Sequence, residues 1–97
     1  MIIIHETFIC KPGSASKLAR LFKEVMGDSP EFVNIMTDVT GGFNKVVVLT
    51  KFESMAAYER YFEKYMEDNE ELRKMKEKMK GYHDLYFTGT REIFKVL

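Results

Sequence analysis

The sequence has no tryptophan, one cysteine and two prolines, and its fifteen basic residues balance fifteen acidic ones among 97. A net charge near zero creates no general field that would attract phosphate backbones, so nucleic acid is not an expected partner. The lone Cys10 can form no internal disulfide. The apolar run Met1 to Ile4 is too short for a signal peptide or a membrane span. We therefore expect a soluble cytoplasmic protein that does not engage a membrane.

Residues that could hold a metal ion or an organic cofactor are equally scarce. His5 and His83 are the only histidines, and they lie on different segments with no cysteine or carboxylate at ligand spacing around them. The pair Gly41-Gly42 lacks the strand-to-helix context of a phosphate-binding loop. We therefore expect the protein to fold without a metal ion and without a bound cofactor.

Alternating and helical patterns of apolar residues divide the chain into six segments. The predicted strands are Ile2 to Cys10, Phe32 to Val39, Phe43 to Phe52 and Tyr82 to Leu97. One helix is predicted to begin after Ser14 or Ser16 and to end at Gly27, and a second helical region, broken near Asn69, is predicted to run from Ser54 to Gly81. The resulting order is β-α-β-β-α-β. This order predicts a single α+β domain over residues 1–97, a ferredoxin-like antiparallel sheet with its helices on one face.

The first strand is apolar on both of its alternating faces. Its odd-numbered face carries Ile3 and Ile9, and its even-numbered face carries the longer apolar set, Ile2, Ile4, Phe8 and Cys10. This pattern is typical of a sheet that is buried on both sides, yet two helical regions can cover only one side. The side of the sheet that no helix can cover therefore needs another partner. We predict a homodimer in which two sheets face each other.

Three segments resemble NIPSNAP-like domains. Residues 6–13 (Glu-Thr-Phe-Ile-Cys-Lys-Pro-Gly) are similar to an R-T-Y-x-x-K-P-G opening, residues 52–59 to an F-x-S-x-x-A-Y-E helix start, and residues 90–97 to an R-E-I-Y-R-V ending. The resemblance implies the dimeric α+β barrel superfamily, in which two sheets enclose a central barrel and which includes antibiotic-biosynthesis-monooxygenase-like enzymes. Glu6 stands where that pattern has arginine, so an anion-binding role for this position is not carried over.

In the last predicted strand, the alternation of apolar and polar residues shifts by one position near Gly89. Its apolar alternation continues beyond this glycine only if the register slips by one residue, which predicts a β-bulge at Gly89. The slip would place Tyr86 and Arg91 on the same, more polar face of the strand.

Four polar residues are the candidates for binding a small molecule inside the barrel, because ligand cavities are mostly apolar with a few convergent polar groups. Asn34 and Asp38 share one face of the second strand, and Tyr86 and Arg91 would join them. In the alternative interpretation, Arg91 and Asp38 form an ion pair that stabilises the dimer, and Tyr86 packs at the interface.

Two functions follow from this pattern. One is a cofactor-independent monooxygenase or related small enzyme acting on an aromatic or polyketide-like substrate. Asn34, Tyr86 and Arg91 would hold an enolate oxygen in such an enzyme, and His5 or His83 would accept a proton. The other is a binding or interaction module without catalysis, in which the barrel is a dimer core or holds a small apolar or aromatic ligand. A large cavity would favour the enzyme, and a barrel filled by its own side chains would favour the module.

Overall fold

A four-stranded antiparallel sheet with the strand order β2-β3-β1-β4 forms the centre of the molecule. The computed structural model describes all 97 residues, and its strands are β1 (Ile2–Cys10), β2 (Phe32–Thr37), β3 (Lys45–Phe52) and β4 (Tyr86–Lys95). The helices are α1 (Ala15–Met26), α2 (Met55–Tyr65) and α3 (Glu70–Lys78), with a short 3-10 turn at Tyr82–Leu85. The predicted α+β, ferredoxin-like fold is confirmed.

The core lies between the helices and one face of the sheet, here called the helix-covered face. Leu18 and Phe22, one helical turn apart on α1, pack against Val46 and Val48 of β3 and against Cys10. A second cluster joins α2 to the other end of the same face, and its members are Ile2, Ile4, Phe52 and Tyr58. The even-numbered residues of β1 and β3 therefore face the helices, and the odd-numbered residues lie on the opposite, helix-free face.

The second helical region is broken where the sequence predicts. The side chain of Ser54 accepts a hydrogen bond from the backbone N–H of Ala57 at 3.1 Å and so begins α2. The side chain of Asn69 accepts one from Leu72 at 2.9 Å and begins α3. No helix in the chain is long and apolar enough to cross a membrane.

The helix-free face carries apolar side chains that remain partly in contact with water. Ile3 and Ile9 of β1 are half-buried on it, Phe94 of β4 is 50% exposed, and Met36 of β2 is 41% exposed. The antiparallel register sets Ile3 opposite Phe94, so these two side chains lie on the same side of the sheet. The expectation of apolar residues on both sides of β1 is thus confirmed for the single chain.

The hairpin between β2 and β3 is wider than the sequence predicts. We expected the strands to reach Val39 and Phe43, but β2 ends at Thr37 and β3 begins at Lys45. The Asp38 carboxylate accepts a hydrogen bond from the backbone N–H of Lys45 at 2.8 Å and closes the loop in place of a ladder bond. Asn44 has φ 62°, a left-handed conformation that Asn tolerates better than most residues.

The β-bulge in β4 lies at Phe87, so the prediction of a bulge at Gly89 was wrong. Cys10 pairs with Tyr86 and Ile9 with Thr88, which leaves Phe87 as the extra residue. The strand starts only at Tyr86, because the preceding residues form the 3-10 turn and not the strand that we predicted from Tyr82.

Gly89 is needed for close packing and not for the bulge. It pairs directly with Phe8, and a Cβ at this position would lie 3.1 Å from the carbonyl oxygen of Thr7 and 3.3 Å from the Phe8 ring. Because one extra residue is inserted at Phe87, Tyr86 and Arg91 do lie on one face of β4, as predicted. That face is the helix-covered one, since Arg91 pairs with Glu6 and Tyr86 with Cys10.

Candidate functional site

A cavity of about 510 Å³ lies between the helix-covered face of the sheet and the helices, and it is partly open to solvent. We call it the helix-side cavity. Small-molecule sites commonly have volumes of about 300–1,000 Å³, so this one could hold a ligand of two or three fused rings. Seven aromatic side chains from β1, α1, α2, the 3-10 turn and β4 line it: Phe8, Phe22, Tyr61, Phe62, Tyr65, Tyr82 and Tyr86.

An ion pair joins the two strands that form the floor of the cavity. Glu6 and Arg91 are direct partners in the β1–β4 register. The Nη2 and Nε atoms of Arg91 donate to the same carboxylate oxygen of Glu6 at 3.1 and 3.3 Å. The Glu6 side chain is 22% exposed and that of Arg91 is 50% exposed. The carboxylate is therefore the member of the pair that depends more on its partner, because water can still reach the guanidinium.

Aromatic groups of α2 surround Arg91. Its guanidinium lies 5.3 Å from the centroid of the Phe62 ring, within the range of a cation–π interaction. Partial burial acts to lower the pKa of Arg91, but the Glu6 carboxylate and the Tyr58 hydroxyl together outweigh this effect, and the pKa is raised. Burial raises the pKa of Tyr58, although the Arg91 charge opposes the shift. Arg91 is therefore a permanent cation, and Tyr58 is a protonated phenol.

A second polar pair lines the cavity where the 3-10 turn meets β4. His83 Nδ1 lies 3.2 Å from the Tyr86 hydroxyl, a hydrogen-bond distance whose direction depends on the tautomer of the imidazole. The His83 ring also stacks on Tyr82, with 4.0 Å between ring centroids. Gly81, with φ 81°, precedes the turn and gives it the left-handed start that orients these rings.

The other cavity tyrosines are neutral hydrogen-bonding groups. Burial is the main cause that raises the pKa of Tyr61, Tyr65 and Tyr82. Their hydroxyls therefore stay protonated at neutral pH and can donate to an oxygen atom of a ligand.

The remaining candidates from the sequence lie away from this cavity. His5 is on the helix-free face, where its ring meets Phe94 edge to face at 6.1 Å and its Nδ1 lies 3.5 Å from the Thr7 hydroxyl. Asn34 is exposed on the same face, since it pairs with Leu49. Asp38 closes the β2–β3 loop.

The four predicted ligand-binding residues do not form one cluster within the chain. β2 and β4 are at opposite edges of the sheet. An Asp38–Arg91 ion pair within the chain is also absent, because Arg91 pairs with Glu6. The structure brings together His83, Tyr86 and Arg91, and it places them in the helix-side cavity and not in the barrel. The roles predicted for all six residues stay predictions.

Glu6 is the cavity residue that the sequence interpretation missed. It interrupts the apolar, even-numbered face of β1, which otherwise consists of Ile2, Ile4, Phe8 and Cys10. A carboxylate on a core-facing position requires a cationic partner, and this interruption was the available signal. In the whole chain, no group of three His, Cys, Asp or Glu side chains is placed to hold a metal ion.

No protein-family model matches the chain, and no curated protein is similar to it at a significant level. Solved structures do match in fold. A NIPSNAP domain protein from Burkholderia xenovorans has a TM-score of 0.79 and 10% identity, over 100% of this chain and 95% of that one. A NIPSNAP family protein of unknown function from Agrobacterium tumefaciens has a TM-score of 0.76 and 19% identity, over 99% and 87%. A candidate antibiotic biosynthesis monooxygenase from Nitrosomonas europaea has a TM-score of 0.69 and 10% identity, over 100% and 99%.

Proposed function

We propose, starting from the fold that this chain shares with NIPSNAP domains and antibiotic-biosynthesis-monooxygenase-like proteins, that it binds a small aromatic compound in the helix-side cavity. One observation carries the proposal: a cavity of about 510 Å³ with an aromatic wall also contains two polar pairs, Glu6–Arg91 and His83–Tyr86. A site of this kind sequesters a flat apolar body by stacking and fixes its orientation through a few oxygen contacts.

The position of the proposed site differs from the one that we expected from the sequence. The barrel between two sheets was the expected site, but its wall in each chain would be the helix-free face. That face presents Ile3, Ile9, Met36 and Phe94, which suit contact between two copies of the chain. The helix-side cavity combines the aromatic rings with His83, Tyr86 and Arg91, so it provides the better support for ligand binding.

Calorimetric titration with 2-naphthol and 1-octanol tests this proposal. Both molecules carry one hydroxyl, but only 2-naphthol can stack on the rings of the wall. We expect binding of 2-naphthol at one site per chain, and binding of 1-octanol at least about tenfold weaker, since each aromatic contact adds roughly 0.5–1.5 kcal/mol beyond apolar area alone.

Two variants locate the binding. Tyr86→Phe removes a cavity hydroxyl and should weaken 2-naphthol severalfold, whereas Glu92→Gln changes a residue on the helix-free face of the same strand and should leave binding unchanged. Absence of 2-naphthol binding, equal binding of 1-octanol, or equal weakening by both variants would overturn the proposal.

The pair His83–Tyr86 favours a second candidate function, a cofactor-independent monooxygenase or related enzyme. An imidazole at the cavity wall, held at 3.2 Å from a tyrosine hydroxyl, is a suitable general base for an acidic phenol or an enolisable ketone. Deprotonation would give an electron-rich anion that reduces dioxygen: one oxygen atom would form a new bond to a ring carbon, which is oxidised to a quinone carbonyl, and the other would leave as water. The Tyr86 hydroxyl and the Nη1 group of Arg91, which Glu6 does not use, would donate hydrogen bonds to its negative oxygen.

Oxygen uptake with 1-naphthol as a test phenol distinguishes the enzyme from the binding module. The enzyme should consume oxygen in a protein-dependent reaction that His83→Gln reduces by at least about a hundredfold while affinity changes little. His5→Gln is the control, because His5 lies on the other face of the sheet. No uptake with wild-type protein, or equal loss in both variants, would exclude His83 as the base for this phenol and favour the binding module.

We also propose that the helix-free face packs against the same face of a second chain. The half-exposed Phe94 and Met36 on this face support the proposal, because removing apolar surface from water contributes about 25 cal/mol per Å². Such a dimer would leave the helix-side cavity of each chain open, since the cavity is on the opposite side of the sheet.

A further inference from the structure

The residues that line the helix-side cavity include more basic than acidic side chains, whereas the two kinds balance in the protein as a whole. Its wall contains three basic side chains, Lys76, Lys80 and Arg91, and one acidic side chain, Glu6. The chain as a whole carries no net charge at pH 7. Clefts with walls of low dielectric concentrate the field of such an imbalance, and an excess of basic side chains is the arrangement that favours an anionic ligand.

The two lysines are the cavity cations that form no ion pair, and the Asp68 carboxylate interacts with Lys76 only at longer range. Arg91 is neutralised by Glu6 at 3.1 Å. Lys74 and Lys78, on the same helix as Lys76, have acidic partners in Glu70 and Glu24 at 3.9 and 3.5 Å. Lys76 and Lys80 have no carboxylate within ion-pair distance. An acidic group in the cavity would therefore displace no ion-pair partner from Lys76 or Lys80, which both line the wall.

The aromatic wall indicates which other chemical group an anionic ligand of this cavity contains. A bare inorganic anion would make no use of the ring surfaces of Phe22, Tyr61, Phe62 and Tyr82 that line the cavity. A flat apolar body with one acidic group uses both features of the cavity, because the rings stack on the body and the lysines pair with the acid.

We infer that the ligand of the helix-side cavity is an aromatic acid, whose carboxylate or comparably acidic group is held by Lys76 and Lys80. This inference rests on the proposed function and narrows it to one class of ligand. Neither lysine belongs to the polar pairs that would act on the ligand, so their contribution is to affinity and orientation.

Calorimetric titration with 1-naphthoate and 2-naphthol at neutral pH tests the inference, because the ring system is the same and only 1-naphthoate is ionised. We expect 1-naphthoate to bind about tenfold more tightly, since each of two partly exposed ion pairs contributes a factor of roughly two to five. High salt should remove most of this advantage and leave 2-naphthol almost unaffected.

Two double variants assign the effect to the lysines. Lys76→Gln combined with Lys80→Gln should remove the preference for 1-naphthoate while 2-naphthol still binds. Lys17→Gln combined with Arg20→Gln removes two cations from the exposed side of α1 and should keep the preference. Circular dichroism should show unchanged helix content in both.

The outcomes separate this inference from the proposed function. Equal or weaker binding of 1-naphthoate, or loss of the preference in the α1 double variant as well, would overturn the aromatic acid while 2-naphthol binding leaves the proposed function intact. Absence of binding by both molecules would overturn the two together.

Discussion

Replacing Arg91 with alanine should destabilise the protein more than replacing Glu6 with glutamine. The guanidinium is half exposed, whereas the Glu6 side chain is only 22% exposed and faces the aromatic wall of the cavity. Truncating Arg91 leaves a poorly hydrated carboxylate without its partner. Replacing Glu6 leaves a cation that water can still solvate, beside a neutral amide oxygen that can still accept its hydrogen bond.

The magnitude follows from the contacts that each change removes. Arg91→Ala deletes a half-exposed ion pair worth about 0.2–1 kcal/mol and a cation–π contact with Phe62 worth about 0.5–1 kcal/mol. It also leaves the mostly buried Glu6 carboxylate without a partner, which costs about 1–3 kcal/mol. Overlap among these effects reduces their sum, so we expect a loss of about 2 kcal/mol and a decrease in Tm of about 10 °C for a domain of this size. Glu6→Gln should lose less than about 1 kcal/mol.

The double variant gives the sharpest test. Combining Glu6→Gln with Arg91→Ala removes the unpaired charge, so the double variant should be about 1 kcal/mol more stable than Arg91→Ala alone. Urea unfolding of the four proteins, followed by circular dichroism at neutral pH, measures the cycle. If the double variant is no more stable than Arg91→Ala, or if Glu6→Gln is the more damaging single change, the account of this ion pair is wrong.

Three further predictions concern the helix-free face, the core and the lone thiol. Phe94→Asp should abolish self-association in sedimentation velocity, because it places a carboxylate among apolar side chains of the proposed interface; unchanged association would mean that the dimer uses another surface. Leu18→Ala should lower the free energy of unfolding by about 3 kcal/mol in urea, since Leu18 is fully buried; a loss below about 1 kcal/mol would show that the core collapses around the gap. Burial, and to a lesser degree the charge of Asp38, raises the pKa of Cys10, so at pH 8 a thiol reagent should label it far more slowly in the folded protein than in urea; equal rates would contradict its burial.

The order of the elements could be predicted from the sequence because it depends on local patterns. The alternation in β1, the helical spacing of Leu18 and Phe22 and the break at Asn69 are each visible within a few residues, and each is present in the structure. The pairing register needs tertiary information. Gly89 indicated a bulge by its residue type, but the bulge lies at Phe87, close to the 3-10 turn from which the chain enters β4.

The candidate site was only partly predictable for a related reason. The alternation of side chains along β4 correctly placed Tyr86 and Arg91 on one face of the strand. Alternation alone does not say which face of the sheet the helices cover. Asn34 was grouped with these residues because polarity on an alternating face was the only criterion available, yet β2 and β4 lie at opposite edges of the sheet. The ion pair between Glu6 and Arg91 joins residues 85 positions apart, and no local pattern reports such a contact.

The break at Asn69 has a consequence for the kinetics of the helix-side cavity. It separates α3 from α2, and no side chain of α3 is fully buried, although Leu72 and Met75 are half-buried. The Lys78–Glu24 pair at 3.5 Å joins α3 to α1, whereas the Asp68–Arg73 pair at 2.8 Å is local to the start of α3. Segments with so little buried surface open at a small fraction of the free energy of global unfolding. The amide hydrogens of α3 should therefore exchange sooner than those of β1 and β3, and the part of the cavity wall formed by Lys76 would be the one that moves aside when a molecule enters or leaves.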